Sequence, residues 1–359
     1  MGISGGRLLV WVAAAVMPIS VSFLCSSTAD GASAHPGPVL ATGTARTSPN
    51  WTKQTGAAVG APTPRQEVAM AYDPGAGYVL LFGGMTTTHV YGDTWSYAGG
   101  RWEHLTPTPH PSARYGSTLV WDAADGYMLL FGGVSRAGNA LNDTWAFRNG
   151  TWTRIHSTVS PPPRGNFAMA YDPADQEVVL FGGAIPATTT YYGDTWAFHQ
   201  GEWLELSADP SPGPRAGSAM AYDGADGYLI LFGGTEDYQC ATCDLEDTWK
   251  FSAGEWTILV PFAPLGPRYG DGLTYDSALG AVLLFGGWNQ DGDCPVVSGD
   301  TWEFSGGQWT RLITSSAPSA RAGEGLADDP NLSGALLFGG SSGTCGEPST
   351  FDRDTWALA

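Results

Sequence analysis

Six times this chain ends a short apolar run with the same four residues, Leu-Phe-Gly-Gly, at 81–84, 130–133, 180–183, 231–234, 284–287 and 337–340. A self-similar period of about fifty residues restricts the chain to repeat architectures, in which one supersecondary unit buries its apolar face only by stacking on the next. Every other feature can be placed relative to these six stops.

The fourth repeat displays the unit. Arg215–Asp223 reads as a strand ended by the turn cluster Asp-Gly-Ala-Asp-Gly, whose side chains cap their own backbone. Tyr228–Phe232 is a β-branched and aromatic run stopped by Gly233-Gly234, as expected of a strand buried on both faces. Asp247–Phe251 alternates as a third strand, and Ala253-Gly254 turns it into a fourth, Glu255–Leu259. In the second repeat that turn is Asn149-Gly150, the strongest two-residue hairpin signal. Four antiparallel strands per unit, repeated radially, describe an all-β chain folded as a β-propeller.

A double glycine after an apolar strand, an aromatic residue in each of the next two strands and an Arg opening the next unit resemble kelch repeats, over roughly residues 50–359. The resemblance implies a propeller with the first strand of each blade innermost, and the count of repeats sets the number of blades at six. Asp-Thr-Trp occurs six times, ending at Trp95, Trp145, Trp196, Trp249, Trp302 and Trp356. A fourth-strand Trp follows each of the first five, at Trp102, Trp152, Trp203, Trp256 and Trp309, but none follows the last. Trp51 supplies the missing one. An N-terminal strand at Asn50–Lys53 is therefore expected to complete the sixth blade and remove an open sheet edge.

Spacing separates scaffold from the rest. The interval from the opening Arg to the first glycine of the pair is constant, as is that between third- and fourth-strand Trp. Only the segment from the glycine pair to Asp-Thr-Trp varies, so the loop between the second and third strands is where length is free. Antiparallel geometry puts these loops at the same end as Arg65, Arg114, Arg164, Arg215, Arg268 and Arg321. The resemblance implies that these arginines ring the channel mouth, as their counterparts do in kelch domains that bind acidic peptides. They are candidate ligands for a carboxylate or sulfate; the competing reading is that each pairs with a neighbouring Asp or a carbonyl to fasten adjacent blades. Their perfect periodicity favours fastening.

The variable loops carry further binding candidates, the aromatics Tyr91, Tyr191, Tyr192, Tyr238 and Trp288, set against simple packing of the loops. Cys240, Cys243, Cys294 and Cys345 also fall there. An even number in an exported chain favours disulfides over metal, with Cys240–Cys243 and Cys294–Cys345 preferred among three connectivities. Glu236, Asp237, Asp244 and Glu246 in one loop, and Asp291 and Asp293 in another, offer oxygen ligands for Ca²⁺, but without EF-type spacing the solvated-loop reading is preferred. Asp73, Asp122, Asp172, Asp223 and Asp276 are expected to be turn caps on the opposite face.

Charge excludes one class of partner: at −19, with Lys53 and Lys250 as its only lysines, the chain lacks the basic patch that nucleic acid requires. At the N-terminus, Arg7, the apolar stretch 8–24 and Ala32-Ser33-Ala34 read as a signal peptide over 1–34, or alternatively a signal anchor, followed by a flexible linker at 35–49. The expected location is secreted, or membrane-anchored with the propeller outside the cytoplasm. Galactose oxidase shares the kelch propeller, but the Cys-crosslinked Tyr of its copper site has no counterpart, because no Cys occupies a central strand. No cofactor is expected. The reading is a monomeric binding module for a glycan, peptide or protein on the variable-loop face. The alternatives are a metal-free enzyme acting on a sugar at the channel mouth, of the sialic acid epimerase kind, and a structural or adhesive surface protein.

Overall fold

The computed structural model describes residues 49–55, 60–238, 240, 243–261, 265–291, 294–332, 334–343 and 349–359; the signal-peptide and nearly all of the linker expectations fall outside them. The described residues form six four-stranded antiparallel sheets and no α-helix. In blade one, Ala69–Asp73, Tyr78–Phe82, Thr94–Ala98 and Arg101–Leu105 follow one another from the inner to the outer strand. The inner strands of successive blades touch in a closed circuit, the sixth against the first.

The apolar runs become second strands because a two-residue period sends alternate side chains to opposite neighbours. Val79 and Leu81 pack with Leu336 and Phe338 of blade six. Leu80 and Phe82 pack with Leu119, Met128 and Leu130 of blade two. All four are fully buried, and each such side chain contributes about 1.5–3 kcal/mol.

The glycine pair is required by the next contact. At Gly84, φ is +97° and a Cβ would lie 2.7 Å from Val68 Cγ1; at Gly83 a Cβ would meet the Arg114 carbonyl at 2.5 Å. The Gly84 N–H instead donates to that carbonyl at 2.9 Å, and the same bond recurs around the ring to Gly340 and Arg65.

Each residue of Asp-Thr-Trp has a separate function. The Asp accepts from its own blade's Arg and from the Trp two residues on, as Asp93 does from Arg65 and from Trp95 at 2.8 Å. The Thr hydroxyl accepts the indole N–H of the following blade's outer Trp: Trp152 to Thr94, Trp203 to Thr144, Trp256 to Thr195, Trp309 to Thr248 and Trp102 to Thr355.

Trp51 closes this circle through Thr301 at 3.0 Å. Trp51–Lys53 is the outer strand of blade six, with Trp51 opposite Leu358 and Lys53 opposite Trp356. The closing strand read from the spacing of the tryptophans is therefore present. Asp73, Asp122, Asp172, Asp223 and Asp276 accept from turn N–H groups, as expected of caps.

The variable loops are more ordered than their irregular lengths suggest. Ala184–Ile185 pairs with Thr190–Tyr191, and Trp288–Asp291 with Cys294–Val297, as short ribbons. Trp288 thus lies in a strand and also exchanges backbone hydrogen bonds with Tyr269.

Candidate functional site

The inner strands enclose a central cavity of about 560 Å³. At the variable-loop end it is cinched by six peptide groups, one per blade, each two residues after the opening Arg. The N–H of Glu67 donates to Gly323, Gly116 to Glu67, Asn166 to Gly116, Gly217 to Asn166, Gly270 to Gly217, and Gly323 to Gly270, at 2.6–3.2 Å. The circle is closed, so the inner backbones come as near as hydrogen bonding allows.

All six residues of this circle have φ between +53° and +69°. Glycine takes that conformation freely, which accounts for four of them. Asn166 is tolerated there as asparagine commonly is, whereas Glu67 does so at a cost of about 1–2 kcal/mol, and strain held against such a cost is a functional signal. Asn166 reaches over the space that a side chain at Gly116 would occupy, and its amide donates to the Tyr238 hydroxyl at 3.3 Å. Glu67 takes a hydrogen bond on Oε1 from Gln66 at 3.3 Å, whereas its buried Oε2 has no partner. Burial pushes this carboxyl up to about 7, against the nearby Asn166 amide, which lowers it.

The next position in each repeat is Val68, Ser117, Phe167, Ser218, Asp271 and Glu324, all lining the cavity. Two carboxyls therefore stand on adjacent blades where four blades fold without one. Asp271 is 9% exposed and Glu324 7%. Both oxygens of Asp271 and Oε2 of Glu324 lack hydrogen-bond partners, as do the hydroxyls of Ser117 and Ser218. Glu324 Oε1 accepts from the Gly272 N–H at 3.2 Å. Burial raises Asp271 to about 7 and Glu324 to about 8, with the charges of Arg268 and Arg321 respectively pulling down.

Of the aromatic residues read from the sequence, the structure brings together Tyr191, Tyr238 and Trp288. Tyr238 sits between Tyr191, tilted at 5.9 Å between ring centroids, and Tyr269, edge to face at 5.3 Å. The Tyr191 hydroxyl accepts the Tyr238 N–H at 2.8 Å, and Tyr238, Tyr269 and Trp288 line the cavity. Tyr91 and Tyr192 lie elsewhere, covering the guanidinium groups of Arg65 and Arg164 at 3.7 and 4.0 Å.

None of the six repeat arginines lines the cavity. Arg65, Arg114, Arg164, Arg215, Arg268 and Arg321 are at most 3% exposed. Each donates to the first glycine's carbonyl and to both oxygens of its own blade's Asp. Burial by itself would raise those carboxyls, but the guanidinium hydrogen bonds and charge hold Asp93, Asp143, Asp194, Asp300 and Asp354 below the usual range. The side chains thus lock the start of the first, the end of the second and the start of the third strand within one blade. They do not fasten adjacent blades, contrary to expectation, because the carbonyl and the Asp held by each guanidinium both belong to its own blade.

At the other end of the cavity a second repeat position supplies Tyr72, Trp121, Tyr171, Tyr222 and Tyr275, with Asp328 as the sixth member. This collar, the Glu67–Asn166 pair and the Asp271–Glu324 pair are absent from the sequence-based candidates. They could have been found by aligning the repeats on the opening Arg and asking where a position departs from its equivalents.

Cys240 and Cys243 are disulfide-bonded; the pairing of Cys294 with Cys345 lies outside the described residues. Among the described residues no cluster of three or more His, Cys, Asp or Glu side chains is arranged to hold a metal ion.

Comparison with known proteins agrees with this geometry. The KLHDC2/KLHL20/DRC7 Kelch-repeats domain matches residues 44–209 and 96–257. No curated protein matches the chain. The solved structure of YjhT superposes with a TM-score of 0.62 at 15% identity, over 83% of this chain and 98% of that one, a likeness of fold. Six blades, the strand order within each and the family match over more than half its length together place this chain in the kelch-repeat family.

Proposed function

We propose that this propeller is a binding module that receives a glycan, peptide or protein ligand at the variable-loop end of its central channel. The observation that carries the reading is convergence: Tyr238 of blade four and Tyr269 and Trp288 of blade five line one end of a cavity of about 560 Å³, with Tyr191 of blade three packed against Tyr238. Beside them stand Glu67 and Asn166, the two members of the backbone circle that are not glycine. Apolar walls with a few convergent polar groups are the usual makeup of a ligand site. The Cys240–Cys243 bond supports placement of the domain in an oxidising compartment, secreted or at the surface.

A glycan and peptide array probed with the propeller tests this, with Tyr238→Ala and Trp288→Ala as site variants and Tyr91→Ala and Tyr192→Ala as controls. Loss of array signal in the first pair alone is expected. Equal retention in all four would move the site elsewhere.

A second reading, an enzyme transferring protons on a sugar in the channel, is favoured by the raised carboxyls of Glu67, Asp271 and Glu324. Acids and bases that titrate near neutrality suit that chemistry. Sugar interconversion followed by NMR, abolished by Glu67→Gln or Glu324→Gln, would select it over binding alone.

A further inference from the structure

We propose that Asp271 and Glu324 form a receptor for an organic cation, a protonated amine or guanidinium carried by the ligand of this channel. The inference rests on the channel being the ligand site and names the chemistry that it selects.

The charge of the cavity wall points one way. Glu67, Asp271, Glu324 and Asp328 line it, and among the described residues no Lys, Arg or His does. The arginines that would recognise an anion are buried in their own blades and occupied by Asp partners. Once these acids are ionised, a carboxylate or sulfate ligand would meet like charge without a counter-ion on the wall, whereas a cation favours their ionised form.

Three acceptor atoms of the pair, Asp271 Oδ1 and Oδ2 and Glu324 Oε2, have no hydrogen-bond partner. A buried polar group left so is destabilising unless something satisfies it. Four of the six blades carry no acid at this position, so the propeller does not need these carboxyls to close. Ammonium and guanidinium groups bring only donors, which is what unpartnered acceptors on adjacent blades can receive. Tyr238, Tyr269 and Trp288 at the same end of the cavity add ring faces that attract cations. The groups around the pair are Arg268 and Asp300 near Asp271, and Arg321 near Glu324.

The shared chemistry has two sources, a free amine or a Lys or Arg side chain of a peptide. The test measures binding of n-butylammonium, N-butylguanidinium, n-butanol and butyrate to the propeller by calorimetry and saturation-transfer NMR. Acetyl-Gly-Lys-Gly-amide and acetyl-Gly-Arg-Gly-amide form the peptide arm. The proteins are wild type, Asp271→Asn/Glu324→Gln, and the exposed strand control Glu103→Gln.

Wild type and Glu103→Gln are expected to bind the cations at least tenfold more tightly than butanol or butyrate, and the double variant to lose about tenfold or more. Tighter binding of the peptides than of the free cations identifies a peptide side chain as the source; the reverse identifies a small amine. Equal binding of butanol or butyrate, or undiminished cation binding in a folded double variant, overturns the proposal. Should the double variant not fold, the comparison of butylammonium with butanol on wild type decides by itself. An array signal lost in Trp288→Ala, with no preference for cations, would leave the channel as the ligand site and remove only the cation receptor.

Discussion

The indole N–H of Trp51 donates to the hydroxyl of Thr301 at 3.0 Å, across 250 residues of sequence. It is the sixth of six equivalent bonds and the one that joins the start of the propeller to its fifth blade. Trp51 is 1% exposed and meets Phe285 edge to face at 5.5 Å. Trp51→Ala is expected to destabilise by about 3–5 kcal/mol, and Trp51→Phe by about 1 kcal/mol through the lost hydrogen bond. Urea unfolding of the two variants checks both the size and the order; an unchanged midpoint for Trp51→Ala would show that the closing strand is dispensable.

Glycines in this chain are not equally demanding. Gly84 and Gly100 both have positive φ, +97° and +79°, but a Cβ on Gly84 would collide with Val68 and the Gln66 carbonyl, whereas one on Gly100 meets nothing within 4 Å. Gly100→Ala is expected to lose about 1 kcal/mol from backbone strain. Gly84→Ala should lose about 2–4 kcal/mol because overpacking adds to that strain. Thermal melts of the two single variants make the comparison.

Stability should respond to pH in two directions. Asp93, Asp143, Asp194, Asp300 and Asp354 have folded pKa values below those of the unfolded chain, so their contribution is present above about pH 4 and is lost as pH falls through the folded values. Glu67, Asp271 and Glu324 are raised to about 7, 7 and 8. Folded protein therefore holds protons there that unfolded chain has released, and stability declines as pH rises through about 5 to 8. The raised cap Asp122, at about 6, adds to the same slope. Unfolding free energies measured across that range should fall with pH, less steeply in Asp271→Asn/Glu324→Gln. A flat wild-type profile would contradict the burial of the three acids.

Glu67 occupies a left-handed backbone position that four equivalent residues fill with glycine. Glu67→Gly is expected to stabilise the fold by about 1 kcal/mol by relieving that conformation, while weakening ligand capture at the channel end. A melting curve paired with the binding array tests the opposition. Loss of stability instead would mean that the contacts of Glu67 with Gln66 and Asn166 outweigh its strain.

The scaffold was largely legible in the sequence because its contacts repeat. The fixed interval from Arg164 to Gly182 exists so that the guanidinium can reach that carbonyl at 2.9 Å, and any change of length would break the bond. The candidate site was legible only in part. Tyr238 and Trp288 stood out as loop aromatics, but so did Tyr91 and Tyr192, and nothing in one dimension separates a ring lining the channel from a ring stacked on a buried arginine. Asp271 and Glu324 were missed because a carboxyl in an acidic chain looks like a solvated one until its burial is known.

By itself, the sequence determined the number of blades and the strand that closes the circle, since both follow from the repeat and from counting tryptophans; the first strand's innermost place came from the resemblance to kelch repeats. Tertiary structure alone decided the sign of the channel. The arginines that dominate the repeat are neutralised within their own blades, and the ionisable groups that line the cavity are the acids Glu67, Asp271, Glu324 and Asp328. Which charges reach a cavity depends on which are already paired, and pairing brings together residues some thirty positions apart through the folding of a whole blade.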